Sequence, residues 1–173
     1  MKSLLLSIFA VFALATLTRA DDVTVKISNV HLCCDSCVKG ANKAISSVDG
    51  AKAVIDKAGH TIEITAPDTA TVQKVADALV KAGFFGDSSD ASVKIDASTG
   101  AKGEKVQTLT VQGVHLCCPK CVKAVHAAVM SVSGVTAETA TKGAESFTVT
   151  GDFNDADVFT ALQKAGLTGK AGN

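Results

Sequence analysis

The stretch His31-Leu32-Cys33-Cys34-Asp35-Ser36-Cys37-Val38-Lys39 returns almost unchanged as His115-Leu116-Cys117-Cys118-Pro119-Lys120-Cys121-Val122-Lys123, and these two copies hold all six cysteines of the chain. Thiolates are soft donors that favour Cu(I), Zn(II) and similar ions. Cys34 and Cys37, and Cys118 and Cys121, each form a C-x-x-C, and each copy follows an alternating apolar run and opens a helical pattern. Thiols at a helix N-terminus face the positive end of the helix dipole, which stabilises the thiolate and favours metal binding at neutral pH. The same placement suits disulfide chemistry, because Cys34–Cys37 and Cys118–Cys121 can pair in an oxidising compartment. Adjacent Cys33–Cys34 is a poorer pair, since neighbouring Cα atoms lie about 3.8 Å apart, below the usual disulfide range. Simple burial of free cysteines as small apolar residues explains poorly why three of them occupy five consecutive positions beside a histidine. No acid–base pair or nucleophilic constellation accompanies the thiols, so no enzymatic turnover is expected.

The two loops differ in detail. Asp35 places a carboxylate between the first C-x-x-C pair, whereas Pro119 suits a first helical position and Lys120 adds positive charge, which predicts more acidic thiols in the second pair. His31 and His115 recur with the cysteines and read either as ligands or their neighbours, or as solvent-facing loop residues that buffer protons. His60 and His126 do not recur and read as surface residues.

The elements that must hold these loops repeat as well. At a constant interval of 84 positions Thr24 matches Thr108, Val48 matches Val132 and Gly50 matches Gly134; beyond Gly50 the interval slips by about a residue, so that Lys81-Ala82-Gly83 faces Lys164-Ala165-Gly166. Val23, Val25 and Ile27 alternate with polar residues, the period of a half-buried strand. Val38, Ala41, Ile45 and Val48 recur at helical spacing, as do Val122, Val125, Val129 and Val132, with Gly50 as the stop in the first copy. Runs flanking Gly59-His60 predict a β-hairpin, and Lys142-Gly143 marks the same turn in the second copy. A second helix carries Val72, Val75, Ala76, Leu79 and Val80, capped by Asp68 or Thr69 and closed by Gly83; its counterpart carries Val158, Phe159, Leu162 and Ala165 and is capped by Asn154 or Asp155. A short last strand is expected near Phe84-Phe85 and Leu167-Thr168. The order strand, helix, strand, strand, helix, strand, given twice, predicts an α+β protein of two tandem ferredoxin-like βαββαβ domains, each an antiparallel sheet with two helices on one face. The expected boundaries are 21–87 and 105–173. Residues 88–104 read as a linker, within which 92–96 could instead lengthen the last strand of the first copy.

Composition narrows the function classes. With Phe but no Trp or Tyr, each core must be built chiefly from Val, Ile, Leu and Ala. Met1-Lys2, the apolar run from Ser3 to Leu17 and Thr18-Arg19-Ala20 have the form of a cleavable secretory signal over residues 1–20. The run falls short of the roughly 18–20 residues needed to span a bilayer, so no stable membrane insertion is expected after cleavage. Loss of Lys2 and Arg19 leaves 15 basic against 17 acidic side chains. No basic stripe interleaved with aromatics is present, so nucleic acid is not an expected partner. The expected location is periplasmic or extracellular.

A unit of about 65 residues with a C-x-x-C just before its first helix resembles the heavy-metal-associated domain family. The family loop, roughly G-M-x-C-x-x-C, aligns with His31 to Cys37 and with His115 to Cys121. The resemblance implies that Cys34, Cys37, Cys118 and Cys121 are metal ligands, with Cys33 and Cys117 as candidate third ligands. It implies a soft ion, Cu(I) first and Zn(II) or Hg(II) as alternatives, and a carrier or buffering protein that exchanges metal with a donating or accepting protein. Leu32 and Leu116 replace the family Met, a core-packing position. Phe84 fits the place of an aromatic that the family sets over the site from its final loop, and Leu167 matches it less well. The competing expectation is a thiol–disulfide or disulfide-stabilised interaction module on the same scaffold. A further arrangement is one cluster shared by all six thiols.

Overall fold

Alternation and helical periodicity build the same unit twice. The computed structural model describes residues 22–172; the signal sequence read at 1–20 lies outside them. In the first repeat β1 (Val23–Ser28), α1 (Asp35–Ile45), β2 (Lys52–Asp56), β3 (Thr61–Ala66), α2 (Thr69–Lys81) and β4 (Asp87–Ser88) follow in order. The second repeat comprises β5 (Lys105–Gln112), α3 (Pro119–Met130), β6 (Val135–Glu138), β7 (Ser146–Asn154), α4 (Asp155–Lys164) and β8 (Lys170–Ala171). The two four-stranded antiparallel sheets have the orders β2-β3-β1-β4 and β6-β7-β5-β8, the ferredoxin-like arrangement expected.

In β1 the register places Val25 opposite Ile64 and Ile27 opposite Ile62. All four are buried, and they share one core with Ala41 and Ile45 of α1 and with Val72, Val75 and Leu79 of α2. The second core is built likewise from Leu109, Val111, Val125, Val129, Val149 and Leu162, with Phe147, Phe153 and Phe159 supplying bulk. Asp68 caps α2 by accepting from the Thr71 N–H at 2.7 Å, and Asn154 caps α4 by accepting from the Ala156 N–H at 2.9 Å. Such caps satisfy amides that have no partner within the helix. The apolar face of α1 is turned slightly from the predicted one: Cys37 is fully buried and Val38 only half so, and Cys121 and Val122 repeat the shift.

The last strands lie further along the chain than predicted. Phe84 and Leu167 form no edge strand with their own sheets; they pair with each other in an isolated antiparallel bridge between the repeats. β4 and β8 each begin three residues later and pair with β1 and β5. No strand forms over 92–96, yet the connecting segment is well anchored. Val93 is buried in the first core, and the Gln73 amide both donates to the Lys94 carbonyl and accepts its N–H, each at 2.8 Å.

At the other end of this segment the Asp155 carboxylate accepts the N–H groups of Lys102 (2.8 Å) and Glu104 (2.9 Å). Burial opposes its ionisation, but these amides outweigh burial and hold the carboxyl below its ordinary value of 3.8. A carboxyl held low stabilises the fold fully above its unfolded pKa, and that contribution is lost as pH falls through the folded value. Asp155→Ala, which strands both amides, is therefore expected to cost about 1–3 kcal/mol near neutrality. In urea titrations the deficit relative to the parent should shrink below about pH 4.

Candidate metal centre

Each cysteine loop leaves its first strand, passes a buried leucine and enters a helix. Leu32 and Leu116 are 1% and 4% exposed, so they pack inward as expected. Cys34 and Cys118 are the N-cap residues of α1 and α3, with extended backbones, and Pro119 takes the first helical position. The entry to the first loop is pinned by His60, whose carbonyl accepts the Val30 N–H at 3.0 Å and whose Nδ1 lies 3.2 Å from the Val30 carbonyl. His60 and His126 are exposed, as predicted, and His126 Nδ1 lies 2.9 Å from Glu138 Oε1.

The repeats meet at these loops across an approximate two-fold relation. Thr168 N–H donates to the Gly83 carbonyl (3.0 Å), and Phe85 N–H and His31 N–H donate to the Gly166 carbonyl (3.1 and 3.2 Å). Gly83 and Gly166 have φ of +84° and +74°. A Cβ on Gly83 would lie 2.5 Å from both the Gly113 carbonyl oxygen and the His115 nitrogen, and a Cβ on Gly166 would lie 2.5 Å from the His31 nitrogen. Only glycine permits both the conformation and this approach. Gly83 read in sequence as a helix stop; its repetition as Gly166 in Lys-Ala-Gly was the available signal that both do more.

This strap brings all six thiols into one cluster. Within the repeats, Cys34 Sγ lies 3.6 Å from Cys37 Sγ, Cys118 Sγ lies 3.7 Å from Cys121 Sγ, and Cys33 and Cys117 lie 3.6 and 3.7 Å from Cys37 and Cys121. Between the repeats, Cys33 lies 3.5 Å from Cys118 and 3.6 Å from Cys121; Cys34 lies 3.8 Å from Cys117 and 3.6 Å from Cys118; Cys37 lies 3.5 Å from Cys117 and 3.6 Å from Cys121. All six are free thiols. Cys37 and Cys121 are fully buried, the other four are half-buried, and Cys117 also lines an open groove of about 780 Å³ with His115 and Leu116.

Thiol acidity follows position in the loop. Burial pushes the Cys33, Cys117 and Cys121 thiols up. At Cys34 burial is outweighed by the Cys37 N–H and by the thiols of Cys37, Cys118 and Cys117, which hold it down at about 6. Cys118 is lowered as well, against burial, by the Cys121 N–H and the Cys33 thiol. The two lowered thiols, Cys34 and Cys118, are thus the N-cap residues of α1 and α3. Asp35, expected beside the first pair, turns away to Lys57 Nζ (2.6 Å) on the surface.

The histidines take different places. Burial lowers the pKa of both; nearby His60 adds to this at His31, and His31 adds to it at His115. Each has a buried Nε2 without a hydrogen-bond partner. A ring nitrogen of His31 and the sulfurs of Cys33 and Cys121 lie within 4.8 Å of one another. His115 instead packs on Phe84, with ring centroids 4.4 Å apart and planes tilted by 32°. Gly40 leaves room for it, since a Cβ there would lie 2.7 Å from His115 Cε1. Neither imidazole is the solvent-facing loop residue that the sequence also allowed.

No family model matches the chain, and no curated protein matches it. Among solved structures, the N-terminal soluble domains of CopA from Bacillus subtilis share 15% identity over 88% of this chain and 95% of that one, with a TM-score of 0.32. The first two RRM domains of the yeast poly(U)-binding protein Pub1 share 10% identity over 87% of this chain and 98% of that one, with a TM-score of 0.24. Neither superposes closely enough to carry function across. Among the described residues no helix is long and apolar enough to cross a membrane.

Proposed function

We propose that the chain binds a soft metal ion, Cu(I) in preference to Zn(II) or Hg(II), through the thiols that its two repeats bring together, and that it serves as an exported carrier or buffer of that ion. The observation that carries this reading is the meeting of six free thiols from two loops 84 residues apart, with neighbouring sulfurs 3.5–3.8 Å apart. Six sulfurs at that spacing crowd uncompensated lone pairs together, and a soft cation relieves the crowding when they ionise. Two N-cap thiols with lowered pKa and two converging helix N-termini favour the anionic form. On this reading the repeats are heavy-metal-associated-type domains, half-buried Cys117 beside the groove is where ions pass to and from a partner protein, and no substrate is turned over.

The test is anaerobic purification, free-thiol counting and elemental analysis after Cu(I) challenge in the presence of a competing chelator. Copper should co-purify with the parent chain and be lost from the variant C34S/C37S/C118S/C121S. Metal-free parent protein with its thiols paired would overturn the proposal in favour of the disulfide module.

A further inference from the structure

The ten close sulfur–sulfur separations define a polyhedron. Five pairs lie outside that set: Cys33–Cys34, Cys117–Cys118, Cys33–Cys117, Cys34–Cys121 and Cys37–Cys118. The first two, sequence neighbours, still fall within 4.8 Å. The other three share no residue, as the three diagonals of an octahedron do. Six sulfurs are thus the corners of an octahedron, with Cys33 opposite Cys117, Cys34 opposite Cys121, and Cys37 opposite Cys118.

Building on the soft-metal reading above, we infer that the site takes a polynuclear cluster of monovalent d10 ions, four Cu(I) capping alternate faces of this octahedron with each thiolate bridging two of them. One such set of faces is Cys33–Cys34–Cys118, Cys34–Cys37–Cys117, Cys117–Cys118–Cys121 and Cys33–Cys37–Cys121. Every sulfur belongs to two of the four, so four three-coordinate ions use all six thiolates. The centre of a triangle with edges of about 3.6 Å lies about 2.1 Å from its corners, close to the ~2.3 Å of a metal–thiolate bond. Six thiolates and four monovalent cations leave two negative charges, which face the N-termini of α1 and α3. Four-coordinate divalent ions do not suit triangular faces.

The octahedron also gives the extra cysteine of each loop a role. Every face contains either Cys33 or Cys117, because they are opposite corners. Removing both leaves a ring of Cys34, Cys37, Cys121 and Cys118, which is two C-x-x-C pairs and no three-sulfur face.

The purified chain is titrated anaerobically with Cu(I) and read by native mass spectrometry and copper X-ray absorption. The parent is expected to saturate at four ions, with a metal–metal distance shorter than the sulfur–sulfur edge. C117S retains two ions bridged by Cys33 and keeps the metal–metal signal; C33S/C117S holds at most two, a twofold or greater drop from the parent, and loses the signal. Circular dichroism of the metal-free variants checks that they fold. A parent that saturates at one ion per repeat, without a metal–metal distance and with the same loading in C33S/C117S, overturns the cluster while leaving soft-metal binding intact. A parent that binds no Cu(I) overturns both.

Discussion

Substituting alanine at both Gly83 and Gly166 is expected to take the six-thiol cluster apart while leaving the two repeats folded. Both positions lie in the left-handed region, where a Cβ costs roughly 1–2 kcal/mol per residue. The larger cost is steric, because the added atom meets backbone rather than a side chain that can swing aside: the Gly113 carbonyl and His115 nitrogen at one end, the Asn29 carbonyl and His31 nitrogen at the other. The relief available is separation of the repeats, since each has its own sheet and core. Separation breaks the hydrogen bonds through the Gly83 and Gly166 carbonyls and the Phe84–Leu167 bridge. Mild oxidation followed by peptide mapping reads the outcome. The parent should give inter-repeat disulfides such as Cys33–Cys118, whose sulfurs lie 3.5 Å apart, whereas G83A/G166A should give pairs within a repeat. An unchanged inter-repeat pattern would show that the strap does not hold the loops together.

Phe84→Ala is expected to be the most destabilising single change in the first repeat. The ring is 1% exposed in the first core and stacks on His115 of the second loop, so truncation removes core volume and an inter-repeat contact together. Phe-to-Ala changes in cores cost about 3–5 kcal/mol, a large share of the stability of so small a unit. Phe84→Leu, which copies the buried Leu167 of the second repeat, should cost less, about 1–2 kcal/mol. Urea unfolding followed by circular dichroism ranks the two, and equal midpoints would refute the packing account. Loss of the ring also opens His115 to water. Burial holds its pKa below 6.5, so its contribution to stability is fully present above that value and is lost as pH falls through the lower folded value. In an NMR titration of a folded fraction of F84A the His115 midpoint should therefore move upward.

Much of the scaffold was legible because it rests on local rules. Alternation in 23–27, helical spacing of valines, Asp68 and Asn154 as caps, and Gly59-His60 as a turn all depend on neighbours within one or two turns of chain, and the structure keeps them. Two of the errors sit where the two halves touch, and a third within the first repeat. Phe84 and Leu167 read as strand residues because they are apolar and follow a glycine, but their partner is the other repeat. Val38 and Val122 read as the first residues of the apolar helix faces, but Cys37 and Cys121 are the fully buried residues there, together in the core that the first repeat shares with the second loop. Asp35 read as a neighbour of the thiols, yet Lys57 draws it outward.

The sequence by itself determined the repeat, the strand and helix order, the placement of each C-x-x-C at a helix N-terminus and the softness of the donors, because residue type and short-range spacing suffice for these. It left open whether His31 and His115 faced solvent and whether the six thiols lay in two groups or in one. The tertiary structure decided these, through two glycines that let backbone meet backbone and through the pairing of Phe84 with Leu167. Each repeat has its own sheet and most of a core of its own. The distance between sulfurs 84 residues apart is therefore set by long-range close packing, which no local pattern encodes.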